Sequence, residues 1–170
     1  MALDTVVDKA SPSSFELVFP IVPGGATTDT LATNKELTLN IFSTIIPGAT
    51  LDLEEHRWQG TKAQRASGTI TYEPWNINFI VDAEFKNWQI LWKWMQYINN
   101  NKDKMLENHS DYAVDAFLRV VDNFQSEVFK LQFIGVWINN LSEITLSHRE
   151  GSQQLECNAA LVYDRFEIRE

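Results

Sequence analysis

Cysteine is almost missing from this chain. Cys157 is the only one among 170 residues, so no disulfide can form within a molecule, and the redox compartment is left open. Long apolar runs are missing too. None approaches the roughly 20 residues a helix needs to cross a bilayer. The start, Met1-Ala2-Leu3-Asp4, has no basic region ahead of an apolar stretch, so neither a secretory leader nor a membrane anchor is expected. Histidine is sparse, and His56, His109 and His148 share no metal-ligand spacing, so each reads as a surface residue. No glycine-rich phosphate loop is present, because no lysine follows Gly24-Gly25 in the required pattern. Positive charge is also short: 14 Lys and Arg stand against 23 Asp and Glu, a net charge of -9. That surplus repels nucleic acid and argues against a conventional DNA-binding role. It is either a soluble acidic surface or a wall that keeps a polyanion from sticking, and composition does not choose between them.

What the chain does have is apolar and aromatic material: 44% hydrophobic residues, with six Trp and ten Phe. This is ample for one core. Residues 1–13 are polar and aperiodic and read as a flexible arm, leaving 14–170 as a single domain. Ser14 to Phe19 alternates as a strand. Pro20 to Lys35, with Pro23-Gly24-Gly25, reads as a long loop. Glu36 to Ile45 places Leu37, Leu39 and Ile41 opposite Glu36, Thr38 and Asn40, a two-faced strand closed by Pro47-Gly48. Leu51 to Trp58 and Gln64 to Tyr72 form the arms of a hairpin with the polar tip Gln59, Gly60, Thr61, Lys62 and Ala63. Asn76 to Val81 is a short strand after Pro74.

The period then changes. From Phe85 to Asn99, Trp88, Leu91, Trp92, Met95 and Ile98 recur at helical spacing and predict an amphipathic helix packed through those five side chains. Asp82 or Glu84 supplies negative charge at its start. A short turn is possible over Lys102 to Glu107. The last third returns to strands: Tyr112 to Val121, Glu127 to Phe133, Ile144 to His148, and a long one from Gln154 to Phe166. In that last strand Leu155, Cys157, Ala159, Leu161 and Tyr163 oppose Gln154, Glu156, Asn158 and Asp164. The order of strands, one helix, then strands predicts a mainly β subunit, an antiparallel sandwich or barrel with the helix packed on it.

Catalytic patterns are few. Asp52, Glu54 and Glu55 beside His56 could do acid–base work if they faced inward; on a half-exposed strand they read as a solvated face. Cys157 has no partner motif and reads as a small buried residue on the inner side of the last strand. Trp88 and Trp92 read as core or interface before they read as a sugar platform, and Trp94, off their stripe, reads as a contact surface. No enzyme activity and no cofactor are expected.

Two segments together carry a family resemblance. The first is Asn76-Ile77-Asn78-Phe79-Ile80-Val81-Asp82-Ala83-Glu84-Phe85-Lys86-Asn87-Trp88, running into Ile90-Leu91 and Lys93-Trp94-Met95. The second is Val128-Phe129-Lys130-Leu131-Gln132-Phe133-Ile134-Gly135-Val136-Trp137, then Leu141-Ser142 and Asn158 to Phe166 with its Tyr-Asp pair. With the turn Ile45-Ile46-Pro47-Gly48-Ala49, they resemble the T4-like tail tube family of contractile bacteriophages over roughly Ser14 to Glu167. The chain departs from the family at Val136-Trp137-Ile138-Asn139, where a Phe-Pro or Trp-Pro is common, and in its longer loop before Glu36.

The resemblance implies six-fold rings whose inner sheets join into one β-barrel. The rings stack into a tube inside a contractile sheath, between baseplate and neck proteins, and genome DNA passes through without specific binding. It places the protein in the virion, assembled in the host bacterial cytoplasm. It makes Glu36, Thr38, Asn40, Gln154, Glu156 and Asn158 candidates for the lumen wall, and Gln59 to Ala63 the candidate contact with the adjacent ring. The leading expectation is an inner-tube subunit. The alternatives are a tube initiator or terminator of the baseplate or neck, the tube of a related injection system, and, more distantly, a monomeric ligand-binding barrel.

Overall fold

The computed structural model describes residues 15–19, 40–58, 60–101, 108–121, 127–146 and 154–169. The expected arm 1–13, Glu36 and Thr38 lie outside them. In chain order the elements are β1 (Phe15–Val18), β2 (Ile41–Thr44), β3 (Ala49–Trp58), β4 (Thr61–Tyr72), β5 (Trp75–Ile80), α1 (Lys86–Asn100), a short 3-10 turn (His109–Asp111), β6 (Val114–Val121), β7 (Glu127–Leu141), β8 (Glu156–Val162) and β9 (Arg165–Arg169). All strand pairs are antiparallel.

One bent ribbon organises the two layers. The first part of β7 pairs with β6 on one side and β9 on the other. Its last part, from Trp137, pairs with β8. The bend falls at Gly135, whose φ of 70° is open to glycine and strained for other residues. The partner strand turns the same corner at Tyr163-Asp164, where the Asp164 N–H donates to Ile134 O at 3.0 Å. One layer is therefore β1-β6-β7-β9 and the other β7-β8-β5-β2, a sheet folded on itself through strands that serve both halves.

Between the layers, alternate residues meet. Trp75, Ile77 and Phe79 of β5 are buried, as are Leu131 and Phe133 of β7 and Cys157, Ala159 and Leu161 of β8. Trp75 lies flat on Phe133 across the layers, centroids 4.0 Å apart. Its indole N–H donates to Thr44 Oγ1 at 2.9 Å, so its one polar atom is satisfied inside the core. Tyr163, at the corner, donates its hydroxyl to Glu73 O at 2.9 Å.

Several expected elements are corrected. The strand expected over Glu36 to Ile45 is, among the described residues, only Ile41–Thr44, and Asn40 sits in a turn. The break expected after Phe133 does not occur: β7 runs for 15 residues because Gly135 absorbs the bend. Residues 142–146 form no strand, so the one expected from Ile144 has no described counterpart. The long last strand exists, but as two strands around the Tyr163-Asp164 corner.

Helix α1 also turns a different face inward. Its buried residues are Asn87, Ile90, Leu91 and Trp94. Trp88, Met95 and Ile98 flank that stripe and are half-buried. Trp92, expected to pack, is 42% exposed, and Trp94, expected on a contact surface, is fully buried. The reason is Asn87, which the core accepts because its side chain is satisfied. Its Nδ2–H donates to Ile80 O at 2.7 Å, and its Oδ1 accepts from the Trp88 N–H at 2.8 Å and the Asp82 N–H at 3.2 Å. The helix has no side-chain cap and no acid in its first turn; Asn87, inside the turn, does a cap's work. Glu84 pairs with Lys86 instead.

Candidate functional site

The described residues gather no group of three or more His, Cys, Asp or Glu able to hold a metal ion. Asp52, Glu54, Glu55 and His56 all lie on β3, exposed. Thr71 donates to Asp52, His56 lies 3.5 Å from Glu54, and Lys62 lies 3.6 Å from Glu55. Asp52, Glu54 and His56 share one solvated face of the strand, and Glu55 lies exposed on the other, with Leu53 and Arg57. Cys157 is buried, 3.5 Å from Ser142 Oγ, and burial pushes its thiol pKa up, the opposite of an activated nucleophile. No helix among the described residues is long and apolar enough to cross a membrane. What the molecule presents instead is surfaces of three characters.

The first is the outward face of the β7-β8-β5-β2 layer. Register puts Asn78 between Ser43 and Asn158, and Asn158 Nδ2–H donates to Asn78 Oδ1 at 2.8 Å. Asn76 and Asn140 flank Ala160 in the next row, and Glu156 stands opposite Ile80. Of the expected lumen residues, Glu156 and Asn158 share this face. Gln154 is exposed just before β8, and Asn40 accepts the Ile80 N–H through its backbone carbonyl. Sequence reasoning missed Asn76, Asn78 and Asn140, although the alternation Asn76-Ile77-Asn78 carried the signal.

The second is the outward face of the β1-β6-β7-β9 layer, which is laced with opposite charges. Arg119 bonds Glu127 at 2.6 Å and Glu16 at 2.9 Å, and these carboxylates, Glu127 first, hold its guanidinium more firmly protonated. Arg165 and Arg169 both reach Glu167. Exposed pairs of this kind add little stability one by one.

The third is the β3–β4 hairpin. It extends the β2–β5 ladder: the Glu73 N–H donates to Gly48 O at 3.0 Å between the two ladders. Its turn is tighter than expected. Thr61, Lys62 and Ala63 already belong to β4, so the loop is Gln59-Gly60, with Gly60 at φ 83°. Gln59 itself lies outside the described residues. Both strands are exposed for most of their length, including Leu51, Leu53 and Ile70.

Comparison with known proteins adds to this geometry. Residues 10–169 match the family model described as phage tail tube protein. The tail tube terminator protein of Enterobacteria phage T4 is 28% identical over 175 residues, covering 98% of this chain and 93% of that protein. Among solved structures, the sheath/tube terminator of the PVC extracellular contractile injection system superposes with a TM-score of 0.65 at 12% identity, covering 98% of this chain and all of that one. The sheath–tube complex of the same system gives 0.62 at 12% identity, covering 99% of each. At such identities the structures speak for the fold.

Proposed function

Because this chain belongs to the phage tail tube protein family, we propose that it is the tube terminator of a contractile phage tail, a ring of six copies that ends the inner tube. The observation that carries this reading is the kinship with the T4 tail tube terminator, which runs nearly end to end in both chains. Residues 14–170 act as one tail-tube domain. The sheet supports ring formation, since among the described residues β1 and β2 end the strand order and have no further strand beside them. Such edges invite pairing with another chain, and joining them around a ring removes the hazard.

In this reading the outward face of the β7-β8-β5-β2 layer lines the lumen. Its carboxamides, Asn76, Asn78, Asn140 and Asn158, with Glu156 at one end, offer phosphates no cation to hold, so genome DNA passes without specific binding. The hairpin tip from Gln59 to Ala63 touches the adjoining ring. The partners are the tail tube, the sheath and the neck, with assembly in the host bacterial cytoplasm. A second reading, the inner-tube subunit itself, is favoured by the family's own description.

Electron microscopy of the purified protein separates them. A terminator gives single six-fold rings that do not lengthen and that cap preformed tubes. A tube subunit polymerises into long tubes. A chain that stays monomeric at high concentration defeats both.

A further inference from the structure

We infer that the receiving site for a neighbouring copy is the groove beside the start of α1, and that the occupant is the neighbour's β3–β4 hairpin. This rests on the ring reading and adds where one copy grips the next. The groove has a volume of about 260 Å³ and is lined by Phe85, Trp88, Ser142, Glu143, Ile144 and Leu146. Leu146 is 72% exposed. Trp92 stacks on Trp88 at 5.7 Å and extends the wall outward. Phe85 holds its place in the wall with a φ of 57°, a left-handed conformation unusual for a bulky residue. The indole N–H of Trp88 is buried and has no acceptor among the described residues, a second sign of an unfinished surface.

The hairpin is the matching half. A lone two-stranded hairpin is marginal in water, and among the described residues β3 and β4 pair only with each other. One face carries Leu51, its cross-strand neighbour Ile70, and Leu53, which are 46%, 49% and 63% exposed. An apolar face of this kind marks a contact surface. The same face ends in Arg57, set directly across from Lys62. Like charges so placed repel. Lys62 has Glu55, whereas Arg57 has no ion-pair partner among the described residues, and neither does Glu143 in the groove. Seating the hairpin buries leucine and isoleucine against Phe85, Ile144 and Leu146 and brings Arg57 to Glu143. Groove and hairpin are different surfaces, so the contact is head-to-tail, the type that closes into rings.

The test uses the full chain. Leu53→Cys and Leu146→Cys proteins are made separately, mixed and oxidised. A disulfide-linked dimer that needs both variants, and that Val128→Cys cannot replace, is expected. Arg57→Glu and Glu143→Arg should each weaken ring assembly about tenfold in sedimentation, and mixing the two should recover much of the loss. Rings that form with no Leu53–Leu146 link and no response to either charge change would overturn the inference and leave the ring reading standing. Cross-linking of Leu146→Cys to a different tail protein instead would overturn the choice of occupant. Monomers under all conditions would remove both readings.

Discussion

Asn87 holds the carbonyl of Ile80 with a 2.7 Å hydrogen bond, and so ties the start of α1 to the end of β5. It is the one buried polar residue among those described. Asn87→Leu keeps the volume but strands the Ile80 carbonyl and the Trp88 and Asp82 N–H groups in the interior. Leaving buried groups unsatisfied costs roughly 1–3 kcal/mol each before relaxation. We predict a loss of about 2–4 kcal/mol overall, read as a lower urea midpoint with an unchanged m-value. A midpoint within experimental error of wild type would show that the junction does not depend on this residue.

Gly135 gives a second prediction. A Cβ there would meet Asp164 Oδ2 at 2.5 Å and His109 Cε1 at 3.0 Å, on a backbone already at φ 70°. Gly60 and Gly68 share the positive φ but have nothing within 4 Å of the added atom. Gly60→Ala and Gly68→Ala should therefore show the conformational cost alone, about 1 kcal/mol. Gly135→Ala should cost about twice that, because it also pushes on the corner where the layers join. Thermal melts of the three variants compare them directly. Equal shifts would mean the corner gives way without resistance.

Tyr163 gives a third, in alkaline solution. Burial first, then Tyr72 and Glu73, pushes its phenol up to about 12, from an ordinary value of 10.0. Between those values the unfolded chain releases the proton while the folded chain keeps it. The folded state then binds more protons, so stability falls as pH rises through that window and is untouched below it. The loss approaches roughly 1–3 kcal/mol at the top of the window. Tyr163→Phe should flatten the slope of stability against pH there, while lowering stability at neutral pH through loss of the bond to Glu73 O. An identical slope in the variant would assign the alkaline loss to other groups.

Much of this architecture was legible in the chain itself. Alternation located β5, and it marked Cys157, Ala159, Leu161 and Tyr163 as the inner side of the last strand, because strand geometry sends successive side chains to opposite faces. The hairpin arms and the helix were legible for the same kind of reason. The helix face was not. Two stripes with the same spacing overlap at Leu91, one through Trp88, Trp92 and Met95, the other through Asn87, Ile90 and Trp94. Hydropathy prefers the first, and only the three hydrogen bonds of Asn87 reveal the second. The corner at Gly135 was only half legible: the apolar alternation slips there, from Leu131 and Phe133 to Val136 and Ile138, and a slip reads as the end of a strand, whereas a positive φ lets one strand bend and continue. The amide-rich face needed register, which no single strand contains: Asn78 and Asn158 are 80 residues apart in the chain.

The hairpin's position as a continuation of β2 and β5 has a mechanical consequence. A pull on its tip travels along two covalent strands into the body of the subunit, through a junction that the Glu73–Gly48 hydrogen bond closes. To extract β5, tension must shear its ladder with β8, where Trp75 to Ile80 and their partners from Leu161 back to Glu156 share the load at the same moment. Hydrogen bonds loaded in parallel fail together, not one after another like a zipper. A subunit built this way resists stretching along the hairpin axis far better than peeling across it.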